Sequence, residues 1–356
     1  MRSSSAGDGS FDVVVVGGGQ AGLAIGWHLA RSPLRFVVLE ASGEIGYSWR
    51  TRWDSLTLFT SAQFDGLPGM AFPAPPDTYP DKDAVADYLA RYAAAFDLPI
   101  RLNARVTALR HTDGRFEIRT RNEVLRAGQV VVATGPFQTP HVPSLTGTFD
   151  PAVTQLHSAG YHNPERLPAG RTLVVGGGNS GLQIADELAA TRQVVVSAGE
   201  RPAALPQRIL GRDLFWWLTR LGVIRVSSTT RLGRRLRGRG EFVVGSSRRR
   251  LLRAGVEFRP RLVGASGRTA HFADGTDLDV DVVVWATGYR PDYSWISVPD
   301  VICEGRPVHR RGATDVAGLY FLGLPWQHTR GSALLGFVAD DAAHVAARIG
   351  AKRDAR

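Results

Sequence analysis

Asp12-Val-Val-Val-Val-Gly17-Gly-Gly-Gln-Ala-Gly22 decides the fold, and Arg171-Thr-Leu-Val-Val-Gly176-Gly-Gly-Asn-Ser-Gly181 repeats it, the second glycine loop lying 159 residues after the first. Each copy is a β-branched run, a Gly-x-Gly-x-x-Gly turn and the start of an apolar helix. The first glycine makes a tight turn off the strand. The second lets backbone approach a pyrophosphate, and the third lets the helix pack close to the strand. The helix N-terminus then faces the diphosphate. One such match among 40 glycines would be weak. Two in the same strand–turn–helix setting imply two dinucleotides held by one chain, and therefore electron transfer between them.

The repeat extends beyond the glycines. Gln129-Val-Val-Val-Ala133 ends at Thr134-Gly135, and Val282–Ala286 ends at Thr287-Gly288, 153 residues later. A Thr-Gly turn at a strand's carboxyl end is where a ligand in the crevice meets backbone amides. In the first unit Glu40 closes the strand Arg35–Leu39, 21 residues after Gly19, and a carboxylate there accepts both ribose hydroxyls of an adenosine. Matching the second unit to the first sets Gln193–Val196 against Arg35–Leu39 and puts Ser197 where Glu40 stands. Without a carboxylate the second site tolerates a ribose 2′-phosphate, for which Arg201, and secondarily Arg208, supply positive charge. The first site, followed by long loops, suits FAD, and the second suits NADPH.

Composition narrows the chemistry. The 356 residues suffice for two domains, and no apolar run reaches membrane-spanning length. Cys303 is the single cysteine, so neither an internal disulfide nor electron transfer through a dithiol is available. The nine histidines lack metal-ligand spacing, and no metal site is expected. The net charge is +10. Nine arginines between Arg231 and Arg253 face one acid, Glu241; with no nucleic-acid module nearby, this reads as a solvated face that steers an anionic cofactor.

Gly17-Gly-Gly-Gln-Ala-Gly22, Gly46-Tyr-Ser-Trp49-Arg50, Trp53-Asp-Ser-Leu56, Leu67-Pro-Gly-Met-Ala-Phe-Pro73, Leu156-His-Ser-Ala-Gly-Tyr161, Gly176-Gly-Gly-Asn-Ser-Gly181 and Ala286-Thr-Gly-Tyr289 together resemble the flavin-containing monooxygenases. These are the class B flavoprotein monooxygenases, and the likeness is to their short bacterial and plant YUCCA-like members. It covers nearly the whole chain. It implies an α/β fold of two Rossmann-like domains, the second inserted into the first, of the three-layer ββα/βαβ sandwich type. The FAD domain would comprise 11–163 and 290–356, the NADPH domain 164–289, and residues 1–10 a disordered start. The resemblance further implies oxygen insertion through a C4a-(hydro)peroxyflavin.

The expected FAD set is Gly17, Gly19, Gln20, Ala21, Gly22, Glu40, Trp49, Arg50, Val106, Thr134, Gly323 and Ser332. The expected NADPH set is Gly176, Gly178, Asn179, Ser180, Gly181, Ser197, Arg201, Thr287 and Gly288. His157 looks like an anchor between domains. Three departures from the family pattern stand out. The Phe-x-Gly that normally precedes the His157 motif is altered at Phe149; Leu58-Phe59 replaces a flavin-facing Asn; and Gly323-Leu324 replaces a Gly-Asp. The segment Tyr320–Ser332, leading into a helix expected from Ser332, is the densest active-site candidate, with Phe59, Trp326, Gln327 and His328 bordering the substrate.

The function expected is FAD- and NADPH-dependent oxygenation of a small organic substrate by N- or S-oxygenation, Baeyer–Villiger oxidation or oxidative decarboxylation. Molecular oxygen is the co-substrate, neither nucleic acid nor a membrane is expected as partner, an oligomer is left open, and the setting is cytoplasmic. The competing reading is an NADPH-dependent flavoprotein reductase or oxidase that passes electrons to a quinone, a protein or oxygen.

Overall fold

The computed structural model describes residues 9–199, 204–238, 240 and 242–354. In the first unit, β1 (Ser10–Val16) runs into helix α1 (Gln20–Leu29) and then β2 (Phe36–Leu39). A four-residue helix α2 (Tyr47–Arg50) and helix α3 (Lys82–Ala95) lead to β3 (Ile100–Arg101). The strands β4 (Val106–Thr112), β5 (Arg115–Thr120) and β6 (Val124–Val132) follow as an antiparallel meander. β6 returns to lie parallel to β1, and the strand Leu319–Phe321 adds to its far side. Ser10 already pairs with Arg126, so order begins inside the stretch expected to be disordered; residues 1–8 lie outside the described residues.

Alternation along β1 builds the layers, because successive side chains of a strand point to opposite faces. Val13 and Val15 join a core with α1, α3 and the C-terminal helix, while Val14 and Val16 join one with Phe116, Ile118 and Leu125 of the meander. The second unit uses the same device. Its all-parallel sheet runs 257–259, 194–197, 172–175, 282–285, 154–157. Val174, Val194 and Val284 pack against helix α4 (Asn179–Leu188), whereas Leu173, Val195 and Trp285 pack against the antiparallel strands at 262–272. Both units are therefore helix, parallel sheet and antiparallel sheet in three layers.

The strand Thr154–His157 lies on the first-domain side of the boundary expected at residue 163, yet it pairs with Val282–Trp285 in the second sheet. The chain leaves the first unit near Thr139–Pro140 and returns at Tyr289–Arg290, and these two segments pair antiparallel. Exit and return thus share one two-stranded connection. Between 204 and 253 the second unit carries an excursion with helices α5 (Leu214–Arg220), α6 (Arg231–Gly238) and α7 (Arg248–Arg253).

The C-terminal helix α8 (Ala339–Asp354) starts seven residues later than the sequence suggests. Two short 3-10 turns, Arg330–Ala333 and Gly336–Val338, precede it. A Cβ on Gly336 would sit 2.2 Å from the Phe64 carbonyl oxygen. That backbone-to-backbone approach is what interrupts a continuous helix.

Candidate cofactor and active site

The two glycine loops are physical copies. Gly17 and Gly176 turn off their strands at φ +109° and +126°, and a Cβ on either would meet the carbonyl of Ala133 or Ala286 at 2.5 and 2.2 Å. A Cβ on Gly22 would meet the Gly17 carbonyl at 1.8 Å, and one on Gly181 the Gly176 carbonyl at 2.1 Å. Gly19 and Gly178, the middle glycines, face open space, with nothing within 4 Å of a Cβ. They are also the N-cap residues of α1 and α4, without a side-chain cap. Each site is thus a closed turn around one open cradle, with uncapped helix N–H groups directed into it. These residues fit a dinucleotide diphosphate at both places.

At the first site Gln20 and Ala21 open α1, and Gly323, at φ +82°, packs so close to Ala21 that a Cβ would lie 2.8 Å from the Ala21 methyl. The loop after Leu319–Phe321 therefore converges on the glycine turn. Glu40 follows β2 and accepts from the Gly18 N–H at 2.8 Å with one oxygen, and from the Ser42 N–H and hydroxyl with the other. The three bonds hold the carboxylate beside the cradle, where it can receive ribose hydroxyls. Thr134 receives a hydrogen bond from the Gln138 amide at 2.9 Å. Val106 opens β4 at a register shift. Trp49 packs against the cores of both units. The Arg50 guanidinium is held by Asp87 at 2.8 Å, with Glu44 and Asp83 farther off.

At the second site the register corrects the sequence matching. Val16 pairs with Leu39, and Val175 pairs with Ser197. Ser197 is therefore the counterpart of Leu39, and Ala198 that of Glu40. Ser197 is buried, and its hydroxyl donates to the Pro260 carbonyl at 2.8 Å and accepts from the Leu262 N–H at 2.9 Å, so it is a strand lock and not a nucleotide contact. The conclusion that no carboxylate closes this strand stands, with Ala198 as its basis.

Arg201 lies outside the described residues. Arg208 donates to the Asp77 carbonyl at 2.6 Å, in a hairpin against the first unit, and is not directed at the second cradle. Sequence reasoning missed Arg261, whose guanidinium crosses Gly199 so closely that a Cβ there would lie 2.7 Å from its Nε. Asn179 uses its side chain to hold the excursion, accepting from the Val244 N–H at 2.9 Å. Ser180 follows it in the first turn of α4. Thr287 donates its hydroxyl to the His141 carbonyl, and Gly288, at φ +81°, occupies the place that Gly135 takes in the first unit.

His157, expected to anchor one domain to the other, makes both of its hydrogen bonds within the second unit. Its Nδ1 accepts from the Ala159 N–H at 3.0 Å, which leaves Nε2 protonated to donate to the Gly288 carbonyl at 2.9 Å. Burial lowers its pKa, and the nearby Arg52 acts in the same direction. Tyr161 is fully buried and donates to Glu187 at 2.7 Å.

The C-terminal loop is ordered by its own hydrogen bonds. Ser332 is buried, and its hydroxyl accepts from the His328 and Thr329 N–H groups, both at 3.0 Å, so it caps the turn instead of facing a cofactor. Trp326 is buried with φ +56°, in a left-handed conformation that a bulky residue rarely adopts. Gln327 is buried, with its oxygen on the Leu324 N–H at 3.3 Å. The His328 carbonyl accepts from the Ser228 N–H at 2.7 Å and so ties this loop to the excursion; burial lowers the His328 pKa.

Phe59 stands apart from these three. Its ring stacks on Phe215 with centroids 5.7 Å apart, and Phe215 reaches through Phe337 to Phe64. The four rings form an apolar seam between the two units, and Phe59 offers no hydrogen bond there. A cleft of about 420 Å³ opens beside it, lined by Gln63, Phe64, Met70, Thr219, Arg225 and Phe337. Next to Phe64 lies Asp65, which no motif or spacing in the sequence singles out. It is fully buried, accepts from the Thr60 hydroxyl at 2.5 Å, and leaves Oδ2 without a partner among the described residues. Burial, with the charge of Asp213 adding to it, pushes its pKa up to about 7.

Two cradles for dinucleotides, one with a carboxylate held beside it and the other free of it, define a two-dinucleotide flavoprotein, and the exposed Cys303 has no second cysteine with which to form a dithiol. A family model described as pyridine nucleotide-disulphide oxidoreductase matches residues 14–206. The chain is 44% identical to a protein of Geobacillus kaustophilus described as an uncharacterized CzcO-like oxidoreductase, over 94% of this chain and 97% of that one. It is 30% identical to the probable indole-3-pyruvate monooxygenase YUCCA7 of Arabidopsis thaliana, over 87% and 82%. A flavin-containing monooxygenase from Stenotrophomonas maltophilia superposes with a TM-score of 0.81 at 30% identity, covering 96% of this chain and 99% of that chain. The chain belongs to the flavin-containing monooxygenase family, and is an enzyme whose cofactors are FAD and NADPH.

Proposed function

We propose that this enzyme oxygenates a small apolar or aromatic substrate in the cleft beside the Phe64–Phe337 pair. The observation that supports this most is the pairing of two open cradles in a chain without a dithiol, which removes a thiol relay and has reduced flavin pass its electrons directly to an acceptor such as oxygen. FAD, reduced by NADPH, supplies the reactivity toward oxygen. The chain's own residues do the rest. Glu40 and the uncapped start of α1 hold FAD, the start of α4 holds the NADPH diphosphate, and Arg261 takes the 2′-phosphate beside Ala198 and Gly199. Trp49, packed against the cores of both units, fixes one against the other, which sets the approach of the two cofactors. Candidate reactions are N- or S-oxygenation, Baeyer–Villiger oxidation and oxidative decarboxylation of a 2-oxo acid, the last suggested by the indole-3-pyruvate monooxygenases among the relatives.

The reductase or oxidase reading retains one supporting observation, the apolar Phe59 in place of a hydrogen-bonding Asn. Measuring NADPH, oxygen and hydrogen peroxide together with amines, sulfides, ketones and aryl 2-oxo acids separates the two. A substrate that yields oxygenated product in step with NADPH, with peroxide suppressed, supports the monooxygenase. Peroxide equal to NADPH with every candidate refutes it.

A further inference from the structure

The stretch from Arg208 to Arg253 holds thirteen arginines and two acids, so it alone exceeds the net charge of +10 carried by the whole chain. Arginine is the cation whose planar fork matches phosphate oxygens. Among the described residues one carboxylate pairs with this set, Asp186 with Arg250 at 2.8 Å. The twelve of these arginines that lie among the described residues are all exposed, so their charge is presented outward.

Apolar exposure accompanies it. Leu210 is 87% exposed at the tip of the Arg208–Asp213 hairpin, and Leu221, 68% exposed, ends α5. Between them lie Trp216 and Trp217, packed edge to face. The Trp217 indole donates to the Ile209 carbonyl at 2.9 Å, which fastens the hairpin to the helix. The Arg212 guanidinium lies over the Trp216 ring.

Leu210 also sits where a leucine is poorly suited. The hairpin has a two-residue loop, Leu210-Gly211, in which φ is +49° and +76°. Such a turn favours Asn, Asp or Gly, because a branched side chain is crowded at positive φ. A leucine held in that conformation, almost fully in water, gains nothing for the fold.

We infer that this hairpin and helix, with the exposed Arg208, Arg212, Arg220 and Arg225 that they and the turn after them carry, dock on the surface of an anionic lipid bilayer. Exposed leucines flanking a tryptophan pair suit the boundary between headgroups and acyl chains, and arginines suit anionic headgroups. A nucleic-acid backbone would use the arginines alone. No helix among the described residues is long and apolar enough to cross a membrane, and surface docking requires none. The inference revises the sequence expectation that no membrane is a partner.

The test uses FAD-loaded full-length protein and co-sedimentation with vesicles of phosphatidylcholine alone or mixed with phosphatidylglycerol, alongside duplex DNA. Leu210→Asn and Leu221→Asn are made singly and together. The expected result is binding to the anionic vesicles and not the neutral ones, weakened by salt, with the double variant losing at least about tenfold in affinity. Leu210→Asn should melt no lower than the parent, since Asn fits the turn, so a loss of binding cannot be ascribed to unfolding. Absence of binding to anionic vesicles overturns the inference. So does equal binding to DNA and vesicles with no effect of the leucine substitutions, which would describe a general polyanion surface.

Discussion

Replacing Asp65 with asparagine should change how stability depends on pH more than it changes stability at any one pH. The native carboxyl is fully buried and is held up to about 7 by burial, with Asp213 adding repulsion and the Thr60 hydroxyl opposing both. In the unfolded chain it ionises near its ordinary value of about 3.9. Between those values the native state binds the extra proton, so ionising the unfolded chain pulls the equilibrium away from the fold. Stability therefore falls as pH rises through this window, by about 1.4 kcal/mol per unit and about 4 kcal/mol in all, and is flat above it. The amide of the Asp65→Asn variant does not titrate. The assay is urea unfolding followed by far-UV circular dichroism for parent and variant between pH 4 and 8. The variant's advantage at pH 8 over its standing at pH 4 should be about 4 kcal/mol, whatever the local cost of an unpaired amide. Parallel stability curves would refute the reasoning, because Asp65 would then ionise in the fold as it does in water.

Arg261→Ala should raise KM for NADPH about tenfold or more while leaving NADH little changed, the scale of a lost charge-assisted contact to a phosphate; steady-state kinetics with both nucleotides decides, and equal effects would remove Arg261 from the 2′-phosphate site. Gly178→Ala, which adds a methyl where a Cβ meets nothing within 4 Å, should keep the melting temperature and weaken NADPH binding in a fluorescence titration. Gly181→Ala puts a Cβ 2.1 Å from a carbonyl and should cost several kcal/mol of stability, on the order of 3, visible as a lower melting temperature. Glu40→Gln should retain the fold and lower FAD occupancy of the purified protein, read from the flavin-to-protein absorbance ratio.

The Gly-x-Gly-x-x-Gly turns, the strands leading into them and Glu40 were legible because each is local: residue type, spacing and backbone demand coincide within one strand–turn–helix unit. Ser197 was misplaced by one residue because strand register is fixed by a partner strand, and a slip of one exchanges a wall residue for a ligand. The start of α8 was missed because what breaks the helix is Phe64, distant in sequence and close in space. Arg208 and Arg261 are alike as letters; only the hairpin turns one to the first unit, and only the strand end sets the other across Gly199. Asp65 carried no signal at all, since its chemistry comes from burial beside Asp213, supplied by the other unit.

Trp53 and Leu56, which belong by sequence to the first unit, are buried in the hydrophobic core of the second, where Tyr161, Leu182 and Val284 surround them. The inserted unit is therefore not a separable module: expressed alone from 141 to 289, it would carry holes in place of an indole and a leucine side chain. Loss of either large side chain costs a few kcal/mol, about 2 to 5, a sizeable share of a domain's whole stability. Heating should melt the full chain in a single cooperative step, and evolution can exchange the second unit between relatives only together with the loop that follows Trp49.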